Sequence, residues 1–599
     1  MTTTAVTAAD TATAAAEAEE ETALGVSAAW LERFAAAVHS PAHEDIDALL
    51  TPDVTWRDFL AFTWGVTNHV GLKDVRSALG RLSADVRPHD LSPAVRQAPI
   101  RTDDGVLMFF EFATEHRRCS GFARLTLGGD GRWQAATLMT QAEGLTDFPA
   151  AVGAHRPEGK AHGYVPGRTR WSDDRAAESE FENDDPQVVV LGAGHNGLSV
   201  AARLASLNVS TLVVERNERV GDNWRKRYAS LALHSLLNAD HLPFYPFPPT
   251  WTAHTPKDKF ADHLESYARA MDLNVWTGTE LTGAAYDDAD GRWTITLRRP
   301  GGERTLRPVH LVLAVGLNGK PRMPEVPGLA GFQGVAVHSG EFQGGSEWDG
   351  KRVLVVGAAV SGHEISHDLY EHGARVTMLQ RNATYVIDFQ TFNDLFYGVY
   401  AEGSGLGTEF ADMVAYATPN IPNRATLKEL VTAAAERDRD LLDRLRQRGF
   451  KLEWGPDGTG IIGSHMAGRD SYQINIGASE LIADGHIGVK QGVEIDRATP
   501  TGVVFTDGTA MDVDLIVFAT GYESMDESVH GLLGPAAAKV QKVYGLADDG
   551  EYSEAWRRSR QPGLWFATGF VTMARFYSRS LTMLIKAIET GLTPKDPGA

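Results

Sequence analysis

Residues 188–197 read VVVLGAGHNG, and the helix-like run LSVAARLASLN follows at 198–208. A short apolar strand runs into Gly192, Gly194 and Gly197, spaced as G-x-G-x-x-G. The first glycine allows a tight turn, the second lets backbone approach a pyrophosphate, and the third lets the helix pack on the strand. The helix N-terminus then offers free N–H groups and the positive end of a dipole to the phosphates. The next strand, STLVVER, ends in Glu215, 18 residues after Gly197, where an acid can accept hydrogen bonds from a ribose. Strand, glycine turn, helix and acid together predict a dinucleotide site.

At 599 residues the chain is too long for one core, and about three or four domains are expected. A formal charge of −21 argues against nucleic acid or an anionic membrane as the main partner. The single cysteine, Cys119, excludes an internal disulfide and gives no sign of an oxidising compartment. No apolar run reaches the roughly 18 residues of a membrane span. The N-terminus lacks the basic-then-apolar order of a signal peptide. A cytoplasmic protein is expected, and no metal site.

Residues 1–25 are Ala/Thr-rich and acidic and read as a disordered tail. From 26 to 145, amphipathic helices precede strand-like runs such as GVLMFFEFATEHRR and SGFARLTLG. This α+β unit resembles the cone-shaped fold shared by NTF2-like and SnoaL-like (polyketide-cyclase) proteins. Asp58 and His69 could line a catalytic cone there; the favoured reading is an accessory or dimerisation domain. Residues 146–185 are rich in Gly, Pro and charge and read as a linker, with Trp171 a possible anchor.

A second strand–turn–helix starts at KRVLVVGAAVSGHEISHDLYEHGARVTMLQR. Gly357 and Gly362 hold the first and third glycine positions, and Ala359 stands at the second. The following strand ends in Arg381, 19 residues after Gly362, where the first fingerprint has Glu215. An acid suits a free ribose 2′-hydroxyl, whereas a guanidinium can pair with a 2′-phosphate. The first site therefore favours FAD and the second NADPH, with NADH also admitted. Two Rossmann-like domains are expected: FAD-binding over 186–345 and 515–599, NAD(P)-binding over 346–514 with a helical insertion at 390–450. The fold class is α/β, with the N-terminal α+β unit added.

Two such sites are what hydride transfer from a nicotinamide to a flavin requires. Disulfide reductases need a cysteine pair beside the flavin, and the lone Cys119 excludes them. A monooxygenase and a simple NAD(P)H oxidase remain. From 186 to about 591 the chain resembles the flavin-containing monooxygenases of the class B flavoproteins. FQGVAVHSGEF matches their F-x-G-x-x-x-H-x-x-x-(Y/F) signature through Phe332, Gly334, His338 and Phe342; GDNW matches their flavin loop with Asp222 replacing a glycine. LAVGLNGKPRMPEVPG and FATGY match their linker strands.

The resemblance implies FAD reduced by NAD(P)H, then oxygen addition to give a C4a-(hydro)peroxyflavin. The protonated form oxygenates N or S; the deprotonated form attacks a carbonyl in Baeyer–Villiger insertion. It assigns Asn223, Trp224, His234, Ser235, Ser361, Thr520 and Gly521 to the cofactors, beside the glycines, Glu215 and Arg381. His234 stands where animal-type enzymes place an Asn. It can tune proton delivery or hydrogen-bond the flavin ring, and His338 is expected to couple the domains. Phe342 and Gln390 depart from the Baeyer–Villiger pattern, which has a Trp and an Arg there. The long N-terminal extension is similar to that of bacterial type II flavin-containing monooxygenases. It tilts the expectation to ketones as substrate, with O2 as co-substrate, over amines or sulfides. It also makes the N-terminal unit a candidate for the nicotinamide site or for the contact of a homodimer.

Overall fold

The computed structural model describes residues 8–39, 44–160, 162–317, 319–468 and 471–595, with side chains from Ala23 onward apart from residues 44 and 45. The first helix, α1 (Ala8–His39), already includes residues 8–25, so the expected tail is helical from Ala8; residues 1–7 lie outside the described residues. The long alanine-rich run explains this, because Ala has the highest helix propensity.

Seven strands follow: β1 (Leu50–Phe59), β2 (Val66–Val70), β3 (His89–Pro93), β4 (Ile100–Thr102), β5 (Gly105–Ala113), β6 (Arg117–Leu127) and β7 (Trp133–Leu145). They form one sheet in the order β2-β1-β7-β6-β5-β3, with β4 beside β5. Helix α2 (Leu72–Val86) has left β2 before β3 begins. Both faces of this sheet are apolar. Trp56, Phe110 and Leu138 pack with Trp30 and Phe34 of α1 and Leu79 of α2. Phe59, Phe109, Phe122 and Met139 face the opposite way and join the core of the next domain.

The 146–185 stretch is not all linker. Helix α3 (Trp171–Glu180) forms within it. Trp171 is exposed and anchors nothing; Phe181 meets Trp276 edge-on at 6.4 Å, and Trp276 Nε1 donates to the Ser179 carbonyl. Arg175 and the Arg299–Glu180 pair complete the attachment.

Two parallel sheets organise the rest. In the first, β8 (Val188–Leu191) leads into α4 (His195–Ser206), then β9 (Thr211–Val214), β10 (Asn274–Trp276) and β11 (His310–Leu313). In the second, β12 (Val335–His338), β13 (Arg352–Val356), helix α5 (Val360–Glu371), β14 (Arg375–Gln380), β15 (Gly488–Gln491) and β16 (Leu515–Phe518) appear. Strand β17 (Leu564–Phe566) returns to the first sheet and feeds the final helix. The orders are β10-β9-β8-β11-β17 and β12-β16-β13-β14-β15. This corrects the expected boundaries: 335–338 and 515–518 both belong to the second sheet. LIVF and LWF are equally apolar, so composition cannot say which sheet either joins.

Between β14 and β15 the insertion folds as α6 (Phe389–Phe396), α7 (Thr408–Tyr416), α8 (Asn420–Arg437) and α9 (Arg439–Gln447). The final helix, α10 (Val571–Glu589), is buried nearly all round, and buried polar groups on it such as Arg575 and Ser578 find hydrogen-bond partners inside the fold.

Candidate active site

The first fingerprint forms the turn its glycines predict. Gly192 has φ +105°, and a Cβ there would lie 2.4 Å from the Ala314 carbonyl oxygen. Gly194 is the N-cap of α4; a Cβ there would meet only Asn223 Nδ2, at 3.4 Å. The first glycine thus serves the fold, and the second leaves an open approach to the helix end. Gly197 lets α4 close on the Gly192 carbonyl.

The N-terminus of α10 joins that of α4, because His195 Nε2 and Asn196 Nδ2 both approach the Gly569 carbonyl, at 2.9 and 3.2 Å. Glu215 follows the last residue of β9 and is nearly buried. Its Oε2 accepts from the Ala193 N–H at 2.9 Å, and its Oε1 accepts from the backbone and side chain of Asn217. The Trp224 indole N–H and Asn196 Oδ1 are buried without a protein partner beside this cradle. Backbone open to a phosphate, an acid at the strand end and unsatisfied polar atoms are what a bound FAD would use.

The second fingerprint repeats the geometry with Gly357 at φ +124° and Gly362 closing on the Gly357 carbonyl. Ala359 is the N-cap of α5, and Ser361 lies half-buried in the first turn. Arg381 follows the last residue of β14, largely exposed; its contact is with Glu494, 3.9 Å away. Gln390, in the first turn of α6, donates to Asp394.

Residues 228–241 connect the two cradles. His234 is mostly buried, its Nε2 3.0 Å from Glu364 Oε1 of α5; alignment is poor for a hydrogen bond, so the contact is one of charge. Glu364 Oε2 accepts from Tyr228 at 2.6 Å. Burial pulls the His234 pKa down, but Glu364, with Asp240 behind it, more than offsets this and raises it. Ser235 donates to Asp240 at 2.6 Å, and burial pushes the Asp240 carboxyl up to about 7. Arg575 of α10 holds this segment by donating to the carbonyls of Ala239 and His241, while Asp412 of α7 pairs with it bidentately.

His338 ends β12. Its Nδ1 accepts from the Gly340 N–H at 3.0 Å, so the proton sits on Nε2, which donates to the Gly521 carbonyl at 2.9 Å. Burial lowers its pKa, in keeping with a neutral ring. Tyr522 packs edge-on against His338 and receives Arg227 from the first cradle's side. Thr520 donates to the Arg322 carbonyl at 2.6 Å.

The N-terminal candidates do not form a site. Asp58 is buried and accepts from Thr140, Thr63 and the Phe62 and Thr63 N–H groups, whereas His69 pairs with Asp74 and stacks on Trp56. Glu364, Tyr228, Asp240 and Arg575 escaped the sequence reading. The one available signal was an acid, Glu364, on the apolar face of a helix.

A family model described as pyridine nucleotide-disulphide oxidoreductase matches residues 189–391. Indole-3-pyruvate monooxygenase YUCCA1 of Oryza sativa subsp. japonica is 35% identical over 354 residues, 59% of this chain and 80% of the relative. The chain belongs to the flavin-containing monooxygenase family. Indole-3-pyruvate monooxygenase YUCCA8 of Oryza sativa subsp. indica is a further relative, 30% identical over 64% of this chain and 85% of its own length. A solved structure of cyclohexanone-bound cyclohexanone monooxygenase shares the fold, with a TM-score of 0.50 and 18% identity over 68% of this chain and 89% of that one. This flavin-containing monooxygenase is therefore an oxidoreductase, and its relatives depend on FAD and NADP. Cys119 is buried in the N-terminal sheet, so the matched family model reflects a shared fold and not dithiol chemistry. Among the described residues, no helix is long and apolar enough to cross a membrane.

Proposed function

We propose that the protein binds FAD at the 192–197 turn and NADPH, with NADH also accepted, at the 357–362 turn. It uses them to insert one atom of O2 into a ketone, giving an ester or lactone. When bound, the reduced flavin activates O2 and the nicotinamide coenzyme supplies the hydride. The chain's own part is positioning, charge and exclusion of water. Gly194 leaves room for the FAD pyrophosphate at the helix end that Gly197 packs onto the strand, Glu215 takes the ribose, Asn223 stands beside Gly194, and the Trp224 N–H is left without a protein partner. Gly357, Ser361 and Gly362 hold the second pyrophosphate, with Arg381 free to turn to a 2′-phosphate.

The observation that carries the choice of reaction is the His234–Glu364 contact at 3.0 Å. Glu364 favours the imidazolium form of His234, and a cation on this segment would stabilise negative charge on an oxygen transferred there. That favours nucleophilic attack at a carbonyl over oxygenation of nucleophilic nitrogen or sulfur. The rice relative's name carries a 2-oxo acid, indole-3-pyruvate, which also presents a carbonyl. The N-terminal unit, read as NTF2-like, braces α7 and α10 behind this site rather than holding a second activity. A cytoplasmic homodimer completes the reading.

The test is coupled NADPH and NADH consumption against ketones, 2-oxo acids, sulfides and amines, with product analysis. Esters, lactones or decarboxylated acids at tight coupling are expected; coupled turnover of amines alone overturns the assignment.

A further inference from the structure

A cavity of about 50 Å³ lies where β7, α4, α7 and α10 meet. Its room is that of a few water molecules or one small organic ion. Arg203, on its wall, is eight residues along α4 from His195, roughly 12 Å from the glycine turn at 1.5 Å rise per residue. Arg203 thus lies about two turns of α4 beyond the first coenzyme cradle, behind the 228–241 segment that Arg575 holds.

The charges around it do not balance. Arg575 pairs with Asp412 through two contacts of 2.7 Å. Arg579 pairs with Glu143 and, at 3.3 Å, with Glu409, which also takes Arg96 at 3.2 Å. Arg203 has no carboxylate partner among the described residues. Its Nε donates to Ser578 Oγ and one Nη2 proton to the Arg575 carbonyl, both at 2.9 Å, and its face lies 5.3 Å from the Phe244 ring centre. A guanidinium has five N–H donors, so both Nη1 protons and one on Nη2 remain, along the edge that takes two oxygens of one carboxylate. Burial and the nearby Arg579 oppose the charge on Arg203. A guanidinium keeps its proton in proteins, so this cost becomes an affinity for an anion.

We propose that this cavity binds a small monocarboxylate on the free edge of Arg203. The site ties β7 of the N-terminal unit to α4 and α10 and stands independently of the oxygenation reaction proposed above. Gln141 of β7 lines the same cavity, so occupancy joins the N-terminal sheet to the first nucleotide-binding domain.

The experiment is thermal melting of the FAD-loaded full chain in sodium acetate against sodium chloride at equal ionic strength. A saturable rise in Tm of about 2 °C or more with acetate beyond chloride is expected, because a ligand selective for the folded state stabilises it. Arg203→Gln should abolish the rise, and Arg203→Lys, which keeps the charge but loses the fork, should weaken acetate about 10-fold or more. An equal response to chloride, or an undiminished acetate response in Arg203→Gln, overturns the proposal. Should these variants fail to fold, crystals of the wild-type holoenzyme soaked in propionate decide it. A carboxylate on Arg203 supports the site, and an empty cavity or propionate only elsewhere overturns it.

Discussion

His234 Nε2 lies 3.0 Å from Glu364 Oε1, a contact between a loop that follows the first fingerprint and the helix that opens the second. It couples the two cradles through a charge that depends on pH. The folded His234 pKa is raised above its unfolded value near 6.5. Its contribution to stability is thus complete below about pH 6.5 and is lost as pH rises through the raised folded value. Melting of the wild type between pH 6 and 9 should show this decline, and His234→Asn should flatten it. The same variant should lower the yield of ester or lactone per NADPH consumed more than it lowers the rate of flavin reduction.

Arg57 and Glu551 form a second long-range pair, bidentate at 2.9 and 2.7 Å and almost fully buried, with Arg57 also donating to Tyr577 and the Tyr416 carbonyl. Removing one partner strands a buried charge. Glu551→Gln should therefore destabilise the chain by about 3–5 kcal/mol. The double substitution Arg57→Met with Glu551→Leu should recover most of that loss, as read by urea unfolding. Equal losses in single and double variants would contradict it.

The two leading glycines should separate fold from cofactor affinity. Gly192→Ala forces an L side chain to φ +105° and against a carbonyl, costing at least about 2 kcal/mol and yielding little folded protein. Gly194→Ala has ordinary φ and space for a methyl, so it should fold with near wild-type melting in the absence of FAD. Its flavin content after dialysis should fall, because the methyl occupies the phosphate approach.

Arg381 should set the choice of coenzyme. It is largely exposed and weakly paired, at 3.9 Å from Glu494. Loss of one charged contact of about 1.5–3 kcal/mol predicts a 10- to 100-fold higher KM for NADPH in Arg381→Ala. The KM for NADH should stay within about 2-fold, since NADH lacks the 2′-phosphate. Steady-state kinetics with both coenzymes check this directly.

The residues read alone specify the two glycine turns, their order and the contrast of Glu215 with Arg381 at the strand ends. These are local features: a few residues on one strand–turn–helix fix φ, backbone approach and helix end without help from elsewhere. The sequence also placed His338 ahead of the second turn and made 390–450 helical. Tertiary structure alone decided the rest. Whether LIVF or LWF returned to the first sheet depended on neighbours hundreds of residues away. That Glu364 would face His234, that the second apolar face of the N-terminal sheet would enter the core around the first parallel sheet, and that Arg57 would find Glu551 all follow from packing between distant segments. An isolated charged residue reads as a solvated surface group, and only the enclosing walls turn Arg57, Glu364 or Arg203 into a partner that must be matched.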